Sequence, residues 1–466
     1  MKERMKNALI FAHECAPHNR PESTVGAQRP AQFAKYLPDF GWRAIVLCCD
    51  HERRGSADKS DLTGIAENAR RLLRRADPRA SIIIPTPSLR WDGSLDHLWR
   101  ATADAKGGLK KIARKSLTTA KFFTGDYSQN WQPCARAAAE AIAEETNIDA
   151  CIGEHGPDAG IFLGRWFSKK YKTPWVADFR DPILQPLTPF ARKFYRPVAR
   201  RLLLSASATI NVNRIWAEMD QKTFGLPSRS IPNGFDTDEF ESDFETHHSD
   251  RFTILYTGNI ISQQRVEIFI EGLALLRAQD EEAFQNARFV YRGLAREKVA
   301  GMAERFGVEE IADIGARIER DATLGLLRSA SLLLLLSIAQ SEKEDVYYSK
   351  GLYPAKVFEY FGARRPIICV PGDNGLLDEL IKKTATGVLL RSPREVADYL
   401  SVVIRQWKSG CEIFHKPDEK EVNRYTRRNL AGQLAEVLNT VTASMIADPS
   451  PTKEAADLSY TTGRDI

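Results

Sequence analysis

Short apolar runs alternate with stretches of helical period along most of the chain. Ala8 to Ala12, Arg43 to Cys49, Ser81 to Pro85, Ala150 to Gly153, Pro174 to Asp178 and Ala208 to Val212 predict strands. Helical spacing predicts helices over 26–38, with Phe33, Tyr36 and Leu37 on one face, and over 132–144, 157–171 and 188–205. The rhythm then restarts. Phe252 to Tyr256, Ala287 to Tyr291, 309–314, Ser331 to Ser337 and Pro366 to Val370 predict strands. Helices are predicted over 264–278, 296–306, 321–329, 354–362, 376–382 and 393–408. Strands that are apolar throughout, joined by helices, imply βαβ units in parallel sheets covered on both faces. No repeat of 20–50 residues is visible.

The expected class is therefore α/β, with two Rossmann-like, doubly wound parallel-sheet domains facing a cleft. The N-terminal domain is expected over 1–235 and the C-terminal one over 251–415, with further helices over 416–446 that can cross back to the first. Residues 236–250 carry Asp236, Asp238, Glu239, Glu241, Asp243 and Glu245 without apolar periodicity, which fits an interdomain linker. Residues 447–466, polar and containing Pro449 and Pro451, read as a disordered tail. In open parallel sheets, ligands bind outside the carboxyl ends of the strands, so functional residues are sought just after each strand.

Composition changes this picture little. The 466 residues are 43% hydrophobic and 27% charged, as in ordinary globular proteins, which excludes wholesale disorder and collagen-like repeats. Seven cysteines are scattered with no CxxC, so neither a zinc ribbon nor a disulfide scaffold is expected, and reduced buried thiols are. The basic start, Met1 to Asn7, leads into an apolar run too short for a signal peptide, and no run is long enough for a membrane span. A cytoplasmic protein is expected. The net charge of +5 is mild, and nucleic-acid binding is not expected. Two segments are locally basic: 106–121, with Lys106, Lys110, Lys111, Arg114, Lys115 and Lys121, and 188–204, with Arg192, Lys193, Arg196, Arg200 and Arg201 beside Phe190, Phe194 and Tyr195. Each fits either a solvated helix face or a surface that meets an anionic membrane at its inner face.

Several chemistries are missing. The loop after the first strand, His13 to Pro17, lacks GxGxxG, so a tightly docked dinucleotide is disfavoured. There is no Walker A motif and no HExxH, and His247-His248 sits among polar residues of the linker, so no metal site is expected. The most informative segment runs from Gly351 to Gly372. Pro354 suits a first helical turn, and Lys356 and Glu359, three apart, share a face near the helix N-terminus. Free N–H groups plus the Lys356 ammonium make a diphosphate site, and Glu359 can accept from ribose hydroxyls.

The PxKxFEYxxxxxPII pattern over 354–368, followed by Gly372-Asp373-Asn374, resembles the donor-binding region of family 4-type (group 1) glycosyltransferases of GT-B fold. Pro174 to Pro182 is similar to that family's PWxxDFRDP block, Ile231 to Asp236 to its interdomain turn, and Tyr256 to Asn259 to the loop opening its second domain. Gly26 to Arg29, Phe33 to Leu37 and Gly41-Trp42 resemble its first loop and helix. The resemblance spans roughly residues 8–440. It implies a transferase that moves a sugar from a nucleotide-sugar donor, bound as substrate with no tightly held cofactor or metal, to a glycan or lipid-linked acceptor in surface-polysaccharide assembly. Donor contacts are then expected from Gly258, Asn259, Arg265, Arg292, Lys356, Glu359, Tyr360, Gly372 and Asp373. Gly26 and Arg29 are expected on the acceptor side, with His155, Asp178 and Asp181 as candidates to deprotonate or orient an acceptor hydroxyl. One departure stands out: many members carry a glutamate eight positions before Glu359, and here that position is Gly351. Sugar contacts would then fall to backbone N–H groups of 372–375. A retaining outcome is favoured over an inverting one. The alternatives are a nucleotide-sugar 2-epimerase, which needs no acceptor, and a non-catalytic nucleotide-sugar binder or assembly protein.

Overall fold

The computed structural model describes residues 4–19, 24–90, 116–117, 126–184, 187, 189–241, 249–261, 263–338, 352–411 and 415–447. The chain divides into two compact units. One comprises Met1–Ile210, Met219–Arg229 and Gln433–Ile466; the other comprises Asn211–Glu218 and Ser230–Gly432.

The first unit is built on β1 (Lys6–Phe11), β2 (Trp42–Cys49), β3 (Ile82–Thr86), β4 (Ala150–His155), β5 (Trp175–Phe179), β6 (Ala208–Asn211) and β7 (Ser228–Ser230). Helices α1 (Thr24–Tyr36), α2 (Leu62–Arg75), α3 (Gln132–Glu145), α4 (Ala159–Tyr171), α5 (Pro189–Leu203) and α6 (Arg214–Phe224) lie between the strands in sequence. The sheet order is β3-β2-β1-β4-β5-β6-β7, with parallel pairing from β3 through β5. All eight residues of β2 and all six of β4 are buried, as expected for strands covered on both faces. Helix α4 lies backbone to backbone on this sheet. A Cβ on Gly160 would fall 2.4 Å from the Phe11 carbonyl oxygen, and one on Gly153 would fall 2.4 Å from that of Gly160. Only glycine permits that approach.

The second unit holds β8 (Phe252–Thr257), β9 (Ala287–Arg292), β10 (Ala312–Gly315), β11 (Leu332–Leu336), β12 (Ile367–Val370) and β13 (Gly387–Leu389). Its helices are α7 (Thr237–Glu241), α8 (Val266–Gln279), α9 (Glu281–Asn286), α10 (Arg296–Phe306), α11 (Arg320–Ser329), α12 (Lys356–Ala363), α13 (Leu376–Thr384), α14 (Pro393–Lys408), α15 (Glu419–Asn423) and the start of α16 (Arg427–Ala447). The parallel sheet runs β10-β9-β8-β11-β12-β13, and the five leucines of β11 are all fully buried.

Both sheets reverse direction beside their first strand, between β1 and β4 and between β8 and β11. These are the switch points at which a crevice opens outside the strand ends. The stretch read as an aperiodic linker contains a turn of helix, α7. Its Phe240 is buried where a Cβ on Gly362 would collide with the ring at 2.3 Å. One apolar residue among the acids is enough to anchor that turn. Residues 106–121, apart from Ser116 and Leu117, lie outside the described residues, as do Gly351 and 448–466.

Candidate functional site

In the second unit, β8 delivers Thr257, Gly258 and Asn259 to the switch point. Gly258 has φ +106°, and a Cβ on it would lie 3.2 Å from Lys356 Nζ. The loop after β9 closes against it: Gly258 N donates to the Arg292 carbonyl at 2.8 Å, and a Cβ on Gly293 would sit 2.1 Å from the Gly258 oxygen. Tyr256 and Tyr291 stack beneath with ring centroids 5.9 Å apart, and the Tyr256 hydroxyl donates to the Asn259 carbonyl at 2.9 Å. Lys356, the first residue of α12, reaches over this floor. Its ammonium lies 3.6 Å from the Tyr256 ring centroid and donates to the Thr257 carbonyl at 2.8 Å. It makes no ion pair within 4 Å among the described residues. Burial pushes its pKa down to about 7, against a weaker upward pull from Glu359.

The other expected donor residues divide. Arg265 is exposed just before α8, paired to Glu267. Glu359 accepts from Arg320 Nη1 at 3.0 Å, and Arg320 also grips Glu239, so this carboxylate is held in place. Arg292 is tied along the edge of the sheet, to Asp313 Oδ1 at 2.9 Å and to the Asp313 carbonyl at 2.9 Å. Tyr360 is fully buried and donates to the Leu334 carbonyl at 3.0 Å; it builds the core rather than facing a ligand. Asp373, two residues before the N-cap Gly375, ties down the start of α13, accepting from the N–H groups of Gly375 at 2.8 Å, Leu377 at 3.2 Å and Asp378 at 3.0 Å. Of the 372–375 amides expected to hold a sugar, Gly375 N is thus occupied by Asp373, and Asp373 N donates to Asp378 Oδ1 at 2.7 Å. A Cβ on Gly372 would lie 2.9 Å from Asp378 Oδ1, and Arg391 bridges Asp378 and Asn374. At the start of α12, the Val357 and Phe358 amides turn back onto the Pro354 and Ala355 carbonyls.

In the first unit, ionisable side chains gather at the carboxyl ends of β1, β4 and β5. Arg29, fully buried on α1, forms two parallel bonds to Asp178, 2.8 Å to Oδ2 and 3.0 Å to Oδ1. Two candidates from the sequence thus pair with each other, and both Asp178 oxygens serve a buried ion pair. His155 ends β4, packs edge-on to Phe179 and sets Nδ1 2.7 Å from Asp158 Oδ1. Burial works against its imidazolium, but Asp158, Asp181 and Asp126 outweigh that and raise its pKa. Asp181 is exposed. Gly26 is kept bare by Arg180: a Cβ there would fall 1.6 Å from Arg180 Nη1.

Glu154 and Arg180 were not singled out from the sequence. Glu154 is 4% exposed, and Arg180 Nε lies 3.4 Å from its Oε1. Burial pushes the Glu154 carboxyl up to about 8, opposed by Arg180 and Arg29 and reinforced by Asp178 and Glu14. The signal for it was local: a glutamate inside a strand with no other charge before His155. Gln264 was also missed. It shapes the loop after β8, accepting from the Ile261 N–H at 3.1 Å and donating to the Leu336 carbonyl at 2.7 Å. Among the described residues, no group of three or more His, Cys, Asp or Glu could hold a metal ion, and no helix is long and apolar enough to cross a membrane.

No protein-family model matches the chain, and no curated protein matches it. Solved structures do. The N-terminal domain of Candida albicans trehalose-6-phosphate phosphatase superposes with TM-score 0.59 at 12% identity, covering 95% of this chain and 98% of its own. A glycosyltransferase from Rickettsia africae gives 0.54 at 12% identity over 94% and 99%. Sucrose-phosphate synthase from Thermosynechococcus elongatus gives 0.53 at 12% identity over 94% and 100%. Each superposition covers both units and both sheets of the present chain. The chain has the GT-B fold. Within this GT-B chain the switch point of each sheet carries its own set of polar groups: a cation over a glycine-lined loop in the second unit, and buried carboxylates with arginines in the first.

Proposed function

We propose that this protein is a glycosyltransferase that moves a hexosyl group from a nucleotide-sugar donor to a glycan or lipid-linked acceptor in cell-surface polysaccharide biosynthesis. The observation that carries the reading is Lys356. Its ammonium, without an ion-pair partner among the described residues, is held over Gly258 at the switch point of the second sheet. A cation with no carboxylate partner among the described residues, beside a loop with no side chain in the way, suits a diphosphate. In this reading Lys356 and Arg265 neutralise the charge that grows on the departing nucleoside diphosphate, which needs no tightly held metal. Glu359, oriented by Arg320, takes the ribose hydroxyls. The first unit takes the acceptor, with His155 or Asp181 orienting its hydroxyl. The outcome at the sugar is retaining.

The reading includes a cytoplasmic protein that works at the inner face of a membrane. Helix α5 supports this: Phe190 and Phe194 are 72% and 63% exposed beside Lys193, Arg196, Arg200 and Arg201. A thermal-shift screen of UDP-, GDP-, ADP- and dTDP-sugars identifies the donor. With that donor, Lys356→Ala is expected to abolish release of nucleoside diphosphate while circular dichroism stays native. Normal turnover in the folded variant would overturn the assignment.

A further inference from the structure

A cavity of about 300 Å³ lies against α4 and α5 in the first unit. Its walls are largely apolar, with Ile161 and Phe162 from α4, Val198 and Leu202 from α5, and Ile183 from the segment between β5 and α5. Three charged residues also line it: Asp158, Arg165 and Arg201. Asp158, Ile161, Phe162 and Arg165 follow i, i+3, i+4, i+7 spacing, so the N-cap residue and one face of α4 supply them all.

The charges are not equivalent. Asp158 is engaged by His155 at 2.7 Å. Arg165 and Arg201 make no hydrogen bond or ion pair among the described residues, and Arg165 Nε is buried without a partner. Burial works against the Arg165 charge. Arg165, a half-buried guanidinium whose Nε has no partner, is costly to leave so, and with the exposed Arg201 beside the same apolar space the missing partner is an anion. An inorganic anion would answer the arginines but leave the apolar walls unexplained. A neutral chain would fill the walls and leave the arginines unpaired. A ligand with both parts satisfies both. Val198, 40% exposed, belongs at once to the cavity wall and to the outer face of α5 that carries Phe190 and Phe194. A chain can therefore pass from a surface against that face into the cavity. At about the 30 Å³ a water takes in the liquid, the volume holds roughly ten such units, the scale of a medium-length hydrocarbon chain.

We propose that this cavity binds a single-chain anionic amphiphile, with the hydrocarbon chain between the apolar residues of α4 and α5 and the acidic headgroup paired by Arg165 and Arg201. Its use for the lipid part of an acceptor rests on the transferase reading; the binding itself does not.

Isothermal titration of the full chain, without donor, tests it with dodecyl phosphate below its micelle concentration. Saturable binding of one molecule per chain is expected. Inorganic phosphate and dodecyl maltoside should each bind at least tenfold more weakly. Arg201→Ala and Arg165→Ala should each weaken dodecyl phosphate at least fivefold. Val198→Trp, at an exposed position that tolerates the larger ring, should fill the cavity and abolish binding with no change in melting temperature. Equal affinity for dodecyl maltoside, or dodecyl phosphate binding unchanged in both Val198→Trp and Arg201→Ala, would overturn the proposal, as would no binding at all. A chain that gives these isotherms yet transfers no sugar removes the transferase reading and keeps the site. Turnover without the isotherms removes the site alone.

Discussion

Lys356 carries a charge that its surroundings resist. Its folded pKa of about 7 lies below that of a lysine in the unfolded chain, so the folded state is penalised increasingly as pH falls from about 10 towards 7. Lys356→Met is accordingly expected to stabilise the protein by about 1–3 kcal/mol at pH 7 while removing donor binding, as denaturant titration and a nucleoside diphosphate isotherm would read. A variant less stable than the parent would mean that the ammonium supports the fold. A bound diphosphate restores the charge, so wild-type affinity should fall roughly fivefold between pH 7 and 8, with proton uptake on binding. Glu154 has the opposite sense. Its folded pKa of about 8 is raised, so the stability it contributes is complete below about 4.5 and is lost as pH rises through about 8. Glu154→Gln should melt like the parent at pH 5 and several degrees higher at pH 9. Parallel melting curves at both pH values would show that the carboxyl is already ionised at neutral pH.

At the level of elements, strands were the more legible. The apolar runs at 8–12, 43–49 and 252–256 fall inside β1, β2 and β8 except for Ala12, because a strand buried on both faces is apolar at most of its positions. Helices that depend on a neighbour were not. Residues 62–75 bury only Ile65, Ala69 and Leu73, and apart from the half-buried Leu62 and Leu72 the rest of α2 is polar or small. What holds it is α3: Arg70 meets Glu144 at 2.6 Å and Arg74 meets Glu145 at 2.7 Å, partners about seventy residues away. Asp373 shows the same limit at a candidate site. The residue was visible in the loop after β12, but its role in tying down α13 comes from where the helix begins. Asp373→Ala should cost about 1–2 kcal/mol in denaturant titration and Asp373→Asn less, since the one amide oxygen can keep the bonds from Gly375 and Asp378 and loses only that from Leu377. Equal loss in both would point to the carboxylate charge rather than to these hydrogen bonds.

Across the whole molecule, charge and greasiness matter by location. The net +5 is spread over the chain, yet α5 gathers Lys193, Arg196, Arg200 and Arg201 beside two exposed phenylalanines. Vesicles containing anionic lipid should carry the protein in flotation at low salt, and Phe190→Ser with Phe194→Ser should reduce the floated fraction severalfold. No flotation of the parent would remove the membrane from the proposed function. The sequence was sufficient for the class of fold, two parallel sheets with their polar groups after the strands, because continuous apolar runs and helical spacing are local consequences of burial. It was also sufficient to point to Lys356 and Gly258, whose residue types are chemically restrictive wherever they sit. Which charges neutralise each other was decided only in three dimensions. Arg29 with Asp178, Arg320 with Glu359, and Arg165 and Arg201, unpaired among the described residues, are separated along the chain by distances that no local pattern spans. An ionisable side chain becomes a structural tie or an open site according to the partner the fold brings within about 3 Å.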